Sequence, residues 1–257
     1  MERTLAVLGE FGGAVLALGA TARAAGTSAL RRAENAQEFL AKARDALGVE
    51  VEVLSGEAEA RLGARGALSE LPGVSPGEAC VVVDPGGGST EVVYTSAGAA
   101  SPVRALSLEI GAVRLTEAFV RSDPPAPAEL EALAARARQV AAALEPARGR
   151  PVVGVGGTAT TLAALHLGLD RYDGARVHGA RIGRDAVAAL RSRLAALPLA
   201  RREEIPCLPR GRADVAVAGA ALLEALLDRL GVADMIVSDR GLRFGLVAEI
   251  LEGCSEL

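Results

Sequence analysis

One segment of the chain combines a carboxylate, consecutive glycines and hydroxyl groups between two apolar strands. It runs from Val81 to Tyr94 and reads VVVDPGGGSTEVVY. Glycines allow positive φ angles and bring backbone N–H groups close to an anion, and such a concave array of donors suits phosphate. Asp84, at the end of the first strand, is placed to hold a metal ion or an attacking water. The segment predicts a phosphate-binding β-hairpin and not a Walker loop, because no Gly-Lys-Ser/Thr follows and EVVY continues as a strand.

A second glycine turn follows the same logic later in the chain. The sequence PVVGVGGTATTLAAL, residues 151 to 165, predicts a short β-branched strand, a Gly-Gly-Thr turn and the beginning of a helix. Helix N-termini bind anions through free N–H groups and a partial positive charge. Two turns suited to phosphate are much less expected by accident than one, so the pair indicates phosphate chemistry.

Composition excludes some classes of function and partner. The chain has 257 residues, 50% of them hydrophobic, which suits one large domain or two modest ones. A net charge of −4 argues against a general nucleic-acid binder, whose affinity would rest on a basic face. No apolar run approaches the roughly 20 residues that span a bilayer, so no membrane partner is expected.

The cysteines and the N-terminal segment bear on the cellular compartment. Cys80, Cys207 and Cys254 lack metal-ligand spacing, and an odd number does not form a disulfide framework. The stretch from Phe11 to Ala24 superficially resembles a signal peptide, yet acidic residues interrupt the positive segment that should precede it. The sequence therefore predicts a cytoplasmic protein.

Hydrophobic periodicity predicts the elements that position the two turns. We expect a helix from Thr27 to Ala46, a strand over Val49–Val53, and a helix over Glu57–Ala67 with Ser55 as its N-cap. The segment Leu71–Gly77, rich in proline and glycine, is the best candidate for a linker. The remaining predicted elements are a strand over Val103–Leu108, a helix from near Gly111, helices over Ala128–Leu144, Asp185–Leu197 and Asp214–Leu230, a strand over Met235–Ser238 and a helix over Leu242–Leu251.

The ordered set of motifs resembles the exopolyphosphatase / guanosine pentaphosphate phosphohydrolase (Ppx/GppA) family, within the superfamily of acetate kinase, sugar kinases, Hsp70 and actin. The matching segments run from about Gly26 to the C-terminus and read GTSALRRAENAQEFL, VLSGEAEARL, VVVDPGGGSTEVV, SLEIGAVRLTEAF, GVGGTATTLAAL, RADVAVAGAALL and IVSDRGLRFGL. The resemblance implies an α/β protein with the RNase H-like, actin-like ATPase fold and two lobes that contain mixed sheets. We expect a first lobe over residues 1–78 and a second over residues 79–257, built on a five-stranded mixed sheet.

The resemblance also assigns roles to individual residues. Glu59, in SGEAEAR, would be the base that activates water, unless its charge only favours the start of its helix. Arg31 would direct its guanidinium group into the cleft and clamp phosphate oxygens. Glu91 would reach into the cleft as a partner of metal or water, or point outwards as an ordinary strand residue. Terminal phosphates would be held by the two glycine turns, through Asp84, Gly86, Gly87, Gly88, Ser89, Gly156, Gly157 and Thr158.

The implied reaction is hydrolysis of a terminal phosphoanhydride, in inorganic polyphosphate or in guanosine pentaphosphate. Positioning and neutralisation of the developing charge do most of the catalysis in such reactions. A divalent cation, with Mg²⁺ as the first candidate, is the expected cofactor, and Asp84 is its expected ligand. The sequence does not choose between the two substrates.

One departure from the family pattern leaves alternatives open. Relatives normally begin with a strand that carries an Asp-x-Gly-Ser/Thr phosphate loop, whereas only about 25 residues precede Gly26 here and none forms that motif. We therefore expect an abbreviated first lobe, and the alternative function is a non-catalytic phosphate- or nucleotide-binding module that has lost hydrolysis. A third possibility is a sugar or acetate kinase relative. An abbreviated lobe would expose a sheet edge and an apolar face, which predicts a homodimer.

Overall fold

The two glycine turns belong to a framework of helices and strands that falls into two compact units. The structure, a computed structural model, describes residues 1–97 and 102–254. The first unit consists of Met1–Glu59 together with the chain from Leu246 onwards, and the second unit is Ala60–Gly245. These limits differ from a division at residues 78 and 79, because Leu71, in the predicted linker, is buried in the core of the second unit. The division into lobes at residue 78 stays a prediction.

The strands are short, and all but β1 contain valine or isoleucine. They are β1 (Ala24–Gly26), β2 (Val51–Val53), β3 (Val81–Pro85), β4 (Thr90–Thr95), β5 (Pro102–Leu108), β6 (Val152–Gly154), β7 (Arg181–Gly183) and β8 (Asp234–Val237).

The helices vary from single turns to four turns or more. They are α1 (Glu2–Leu18), α2 (Ser28–Arg32), α3 (Ala36–Leu47), α4 (Gly56–Leu68), α5 (Ala112–Phe119), α6 (Pro127–Ala141), α7 (Gly156–His166), α8 (Gly174–Val177), α9 (Arg184–Ala195), α10 (Leu199–Arg202), α11 (Arg210–Ala213), α12 (Ala216–Leu230) and α13 (Leu242–Cys254). The predicted N-cap of α4 is confirmed, because the Ala58 N–H donates to Ser55 Oγ at 3.1 Å.

The single helix expected from Thr27 to Ala46 is wrong, because the chain forms the two helices α2 and α3 there. The backbone is extended at Ala33, and Asn35 precedes the first residue of α3. Asparagine favours such boundary positions because its side chain competes with the backbone hydrogen bonds of a helix interior. Hydrophobic periodicity alone does not reveal this boundary.

The second unit is built on a mixed sheet with the strand order β5–β4–β3–β6–β8–β7. Strands β3, β6 and β8 are mutually parallel, whereas β4, β5 and β7 run antiparallel to their neighbours. The expected five strands are therefore six. The additional strand is β7, which has three residues and one buried side chain, that of Ile182, and is too short for a strand to be predicted from periodicity.

Both faces of this sheet are covered by small aliphatic side chains. Val81, Val83 and Val92 face a large cluster that includes α12, which is buried along nearly its whole length. The opposite face, which carries Val82 and Val93, packs against the alanine side of α4. Burial on both faces explains why the central strands read as continuous apolar runs.

The first unit contains a two-stranded parallel sheet of β1 and β2. The mixed sheet expected for the first lobe is thus not found among residues 1–97 and 102–254, where only this parallel pair belongs to the first unit. Helix α1 packs against α3 at Gly12, where an added Cβ atom would lie 2.7 Å from the Ala46 carbonyl oxygen. Within the described part of the chain, no helix combines the length and apolar character that crossing a bilayer requires.

Helices α4 and α13 approach each other closely within the second unit because both carry glycine at the contact. A Cβ atom on Gly66 would lie 2.0 Å from the Gly241 carbonyl oxygen, and one on Gly245 would lie 2.1 Å from the Leu62 carbonyl oxygen. Gly63, one turn before Gly66 on the same helix, has nothing within 4 Å of its Cβ position. The two glycines of α4 therefore differ in packing while sharing a helical backbone.

We predict that Gly66→Ala and Gly63→Ala change stability in opposite directions. The added methyl group at position 66 forces the helices apart and should lower the free energy of unfolding by about 1–3 kcal/mol. At position 63 alanine meets open space and should stabilise the helix by up to about 1 kcal/mol. Chemical denaturation of both variants measures the difference, and equal effects would contradict the close crossing.

Candidate functional site

The first residues of α5 donate hydrogen bonds to the glycine turn after β3. The Gly86 carbonyl accepts the Ala112 N–H at 2.9 Å, and the Gly87 carbonyl accepts the Val113 N–H at 3.0 Å. In a trans peptide, the carbonyl of one residue and the N–H of the following residue point in opposite directions. Because the Gly86 and Gly87 carbonyls point towards α5, the N–H groups of Gly87 and Gly88 are directed away from it. Neither donates a backbone hydrogen bond within residues 1–97 and 102–254. The turn thus offers two backbone donors to an anion.

Two carboxylates lie side by side at the base of this turn. Asp84 on β3 is directly opposite Glu91 on β4, and opposite residues of an antiparallel pair project from the same face about 5 Å apart. Glu91 is only 6% exposed and accepts a hydrogen bond from Ser107 Oγ at 2.9 Å. Glu91 is therefore a buried neighbour of Asp84 and not an exposed strand residue. Ser89, which ends the turn, is also buried.

The second glycine turn meets the first at Asp84. Gly156 begins α7 with a φ of +78°, and a Cβ atom at this residue would lie 2.0 Å from Oδ1 of Asp84. Only glycine fits there, because any other residue would add both backbone strain and a collision with the carboxylate. The hydroxyl of Thr158 donates to the Pro85 carbonyl at 2.8 Å and ties the two turns together. The two predicted phosphate turns therefore share one site.

A cavity of about 410 Å³ opens beside this contact. Its walls include Asp84 and the first residues of two helices, α7 at Gly156 and α13 at Leu242. The N-terminal N–H groups of a helix and its dipole favour negative charge. The cavity thus brings two helix N-termini together with Asp84 and the second glycine turn, whereas Gly86, Gly87, Gly88 and Ser89 of the first turn are not among its lining residues.

Two arginines that sequence reasoning did not single out also line the cavity. The guanidinium group of Arg212 packs directly on Gly157, where a Cβ atom would lie 1.5 Å from Nη1, and Arg243 is the second residue of α13. Neither forms a salt bridge in the part of the chain that the structure describes. Their charges are therefore available to a ligand, although they are separated from the glycine motifs in sequence.

A tyrosine and an aspartate form another part of the cavity wall. The hydroxyl of Tyr172 donates a hydrogen bond to Asp239, and both side chains line the cavity. Burial, followed by the hydrogen bond to Asp239, raises the pKa of Tyr172 to about 12. The phenol therefore keeps its proton well above neutral pH, and this wall presents a planar ring and a carboxylate of fixed orientation.

The remaining predicted residues, Arg31 and Glu59, form an ion pair in the first unit. Nη1 of Arg31 donates to Glu59 Oε2 at 2.7 Å and to the Leu54 carbonyl at 2.8 Å. Both side chains are largely buried, at 23% and 15% exposed. A charge-assisted bond of this length fixes the orientation of the carboxylate.

Known proteins match both the sequence and the fold of this chain. The model of the Ppx/GppA phosphatase family matches residues 1–253. The chain belongs to this family. Exopolyphosphatase 2 of Mycobacterium tuberculosis is 36% identical over 244 residues, which cover 89% of this chain and 74% of the relative. The crystal structure of the Aquifex aeolicus Ppx/GppA family member superimposes with a TM-score of 0.84 at 33% identity, covering 98% of this chain and 81% of the other. An exopolyphosphatase-like protein superimposes with a TM-score of 0.88 at 30% identity, covering 97% and 83%.

Membership of the Ppx/GppA family confirms two predictions. The expected actin-like ATPase fold is that of the matching family structures, and the sheet of the second unit is mixed as expected. The expected enzyme class, a phosphoanhydride hydrolase, is that of the family. The assignment of individual residues to steps of the reaction rests on the geometry above and stays a proposal.

We predict that Gly156→Ala abolishes most of the phosphatase activity while the protein still folds. Alanine at a positive φ costs roughly 1–2 kcal/mol, and its methyl group displaces Asp84. A shift of about 1 Å in a catalytic group can lower a rate by about 100-fold. Gly149→Ala is the matched control, since Gly149 has a φ of +82° but nothing within 4 Å of its Cβ position. Phosphate release by the folded variants measures the effect, and equal activity would contradict the contact between Asp84 and Gly156.

Proposed function

We propose that this protein releases terminal phosphate from inorganic polyphosphate by attack of water. The observation that carries the proposal is the contact between Asp84 and Gly156, because it places the strand that leads into the first glycine turn against the second turn, beside the cavity. The M. tuberculosis relative named exopolyphosphatase 2 supports this substrate. A polyanion matches a cavity whose donors are backbone amides and arginines.

The substrate chain would be held by groups from four directions. The N–H groups of Gly87 and Gly88 are directed away from α5, and the N-termini of α7 and α13 open into the cavity. Arg212 and Arg243 add two guanidinium groups, each of which can bind phosphate oxygens through two parallel N–H donors. Fixed dipoles and charges of this kind stabilise charge that develops on phosphate during transfer.

Asp84 and Glu91 are the residues that would hold a divalent cation. Their side chains are adjacent on one face of the sheet and supply the oxygen ligands that Mg²⁺ prefers. No cluster of three or more His, Cys, Asp or Glu residues suited to a metal occurs among residues 1–97 and 102–254. This fits Mg²⁺, which is commonly held by one or two carboxylates together with substrate phosphates and waters. When bound, Mg²⁺ would neutralise charge on the phosphates and reduce their repulsion from the two carboxylates.

We propose Glu59 as the base that accepts a proton from the attacking water. Its ion pair with Arg31 fixes the direction of the carboxylate, as a base requires. Arg31 uses Nη1 for both Glu59 and the Leu54 carbonyl. The remaining guanidinium donors would bind a phosphate oxygen, so one arginine would orient both the base and the substrate.

Guanosine pentaphosphate is a second candidate substrate, favoured by the Tyr172–Asp239 wall. A tyrosine ring can stack on a purine, and a carboxylate can accept the two neighbouring N–H groups of guanine. Phosphate release from each substrate, measured separately on the unmodified protein, decides between them. Binding of either compound without any phosphate release would favour the non-catalytic module instead.

We predict that Glu59→Gln lowers kcat for polyphosphate about 10²–10⁴-fold, the usual contribution of a general base. KM should change little, because glutamine keeps the shape of the side chain. Glu57→Gln is the control, since Glu57 is exposed in the same first turn of α4. Steady-state kinetics with both variants measures the difference. A fully active Glu59→Gln variant would remove Glu59 from the mechanism.

We place the protein in a reducing compartment, the cytoplasm. Cys80 and Cys207 are free thiols and both are buried. Burial raises the pKa of each thiol above its usual range, which lowers the fraction of reactive thiolate. Such cysteines behave as small core residues, as expected of a protein that does not depend on disulfides.

We further predict that the protein forms a homodimer through α1. Val7, Phe11 and Leu18 share one side of this helix at heptad-like spacing and are 42%, 59% and 80% exposed. A continuous apolar stripe of this kind marks an interaction surface, and a second copy offers a matching one. Light scattering should give the mass of two chains, and Phe11→Glu should give one, with Glu10→Gln as the control. A single-chain mass for the unmodified protein would contradict this.

A further inference from the structure

Arg202 is a buried arginine outside the cavity to which the proposed function gives no role. It ends the short helix α10, and only 4% of it is exposed. Its Nε atom is buried and has no hydrogen-bond partner among the described residues. A buried arginine with an unsatisfied donor is costly, so stability alone is a weak reason for its presence.

The contacts of Arg202 join three separate segments of the second unit. Nη1 donates to the Ala213 carbonyl at 3.0 Å, and Nη2 donates to Asp123 Oδ1 at 3.3 Å. The Asp123 carboxylate also accepts the Leu199 N–H at the start of α10, at 2.8 and 2.9 Å. One guanidinium group thus fixes the loop after α5, helix α10 and the end of α11 to one another.

The end of α11 is the point at which this cluster reaches the cavity. Ala213 follows Arg212 directly, and α11 is a single turn whose Arg212 N–H bonds back to the Pro209 carbonyl. A one-turn helix has little stability of its own, since helix formation depends on length or on tertiary packing. The hydrogen bond from Arg202 to the next carbonyl therefore fixes the backbone from which the Arg212 side chain extends to Gly157.

We infer that Arg202 is a positioning residue for Arg212, and this inference rests on the proposed function, in which Arg212 binds substrate phosphate. Lysine would keep the charge at position 202 but not the planar fork that reaches the Ala213 carbonyl and Asp123 together. In the lysine variant the ammonium group can still pair with Asp123, but the Ala213 carbonyl loses its hydrogen bond from residue 202. Arg212 then loses its fixed starting point while its own charge is unchanged.

A double-mutant cycle with Arg202→Lys and Arg212→Ala tests the inference, using polyphosphate as substrate. Arg212→Ala alone should raise KM about tenfold or more, as expected for a lost charge-assisted contact. Arg202→Lys alone should raise KM several-fold with a smaller effect on kcat. In the Arg212→Ala background, Arg202→Lys should have no further effect on KM, because the side chain that it positions is already absent.

Two further variants keep the test decisive. Arg201→Lys is the matched control, since Arg201 lies beside Arg202 on α10 but pairs with Glu204 at the surface. Asp123→Asn loosens the other end of the cluster and should show the same coupling to Arg212, which covers the case in which Arg202→Lys does not fold. Effects on KM that multiply independently in the double variants would overturn the positioning role. A normal KM for Arg212→Ala would overturn it too, whereas loss of all phosphate release in the unmodified protein would refute the proposed function itself.

Discussion

The site depends on the close approach of the Asp84 carboxylate to the α-carbon of Gly156. This approach follows from the sheet, because β3 and β6 are parallel neighbours with Val83 opposite Gly154. Parallel strands end at the same edge, and ligands bind there in open α/β sheets. Each strand continues into a glycine turn, so the two turns are brought together by strand pairing alone. The absence of a side chain at Gly156 then decides how close they come.

The charged groups of the site are best understood together with a bound anion. Asp84 and Glu91 place two carboxylates on one face, which by themselves would repel a polyphosphate. The opposing contribution comes from two helix N-termini and from Arg212 and Arg243. A cation between the carboxylates and the phosphates would complete this balance. The arrangement is therefore unfavourable to an apolar ligand and suited to an anionic chain that brings its own counterion.

The local parts of this site could be predicted from sequence, and the distant parts could not. Glycines that follow a β-branched run identify both turns, because few other residues tolerate such backbones. Arg212 gives no such signal, because its place in the site depends on its contact with Gly157, which is far away in sequence. The pairing of Arg31 with Glu59 was likewise not expected, although each residue was predicted to act. The sixth strand, β7, was missed because three residues with one buried side chain carry no periodic signal.

Small residues in the core determine where the charged groups of the cavity lie. Gly66 and Gly245 let α4 and α13 pack at backbone distance, and this contact fixes the N-terminus of α13 that carries Arg243. In the same way, Gly219 of α12 leaves room for the Thr158 side chain, whose hydroxyl donates a hydrogen bond to the Pro85 carbonyl. A bulkier residue at either place would move a helix N-terminus and not merely a side chain. Small residues at these contacts thus help to determine the shape of the cavity, because they allow the helices whose N-termini line it to pack at backbone distance.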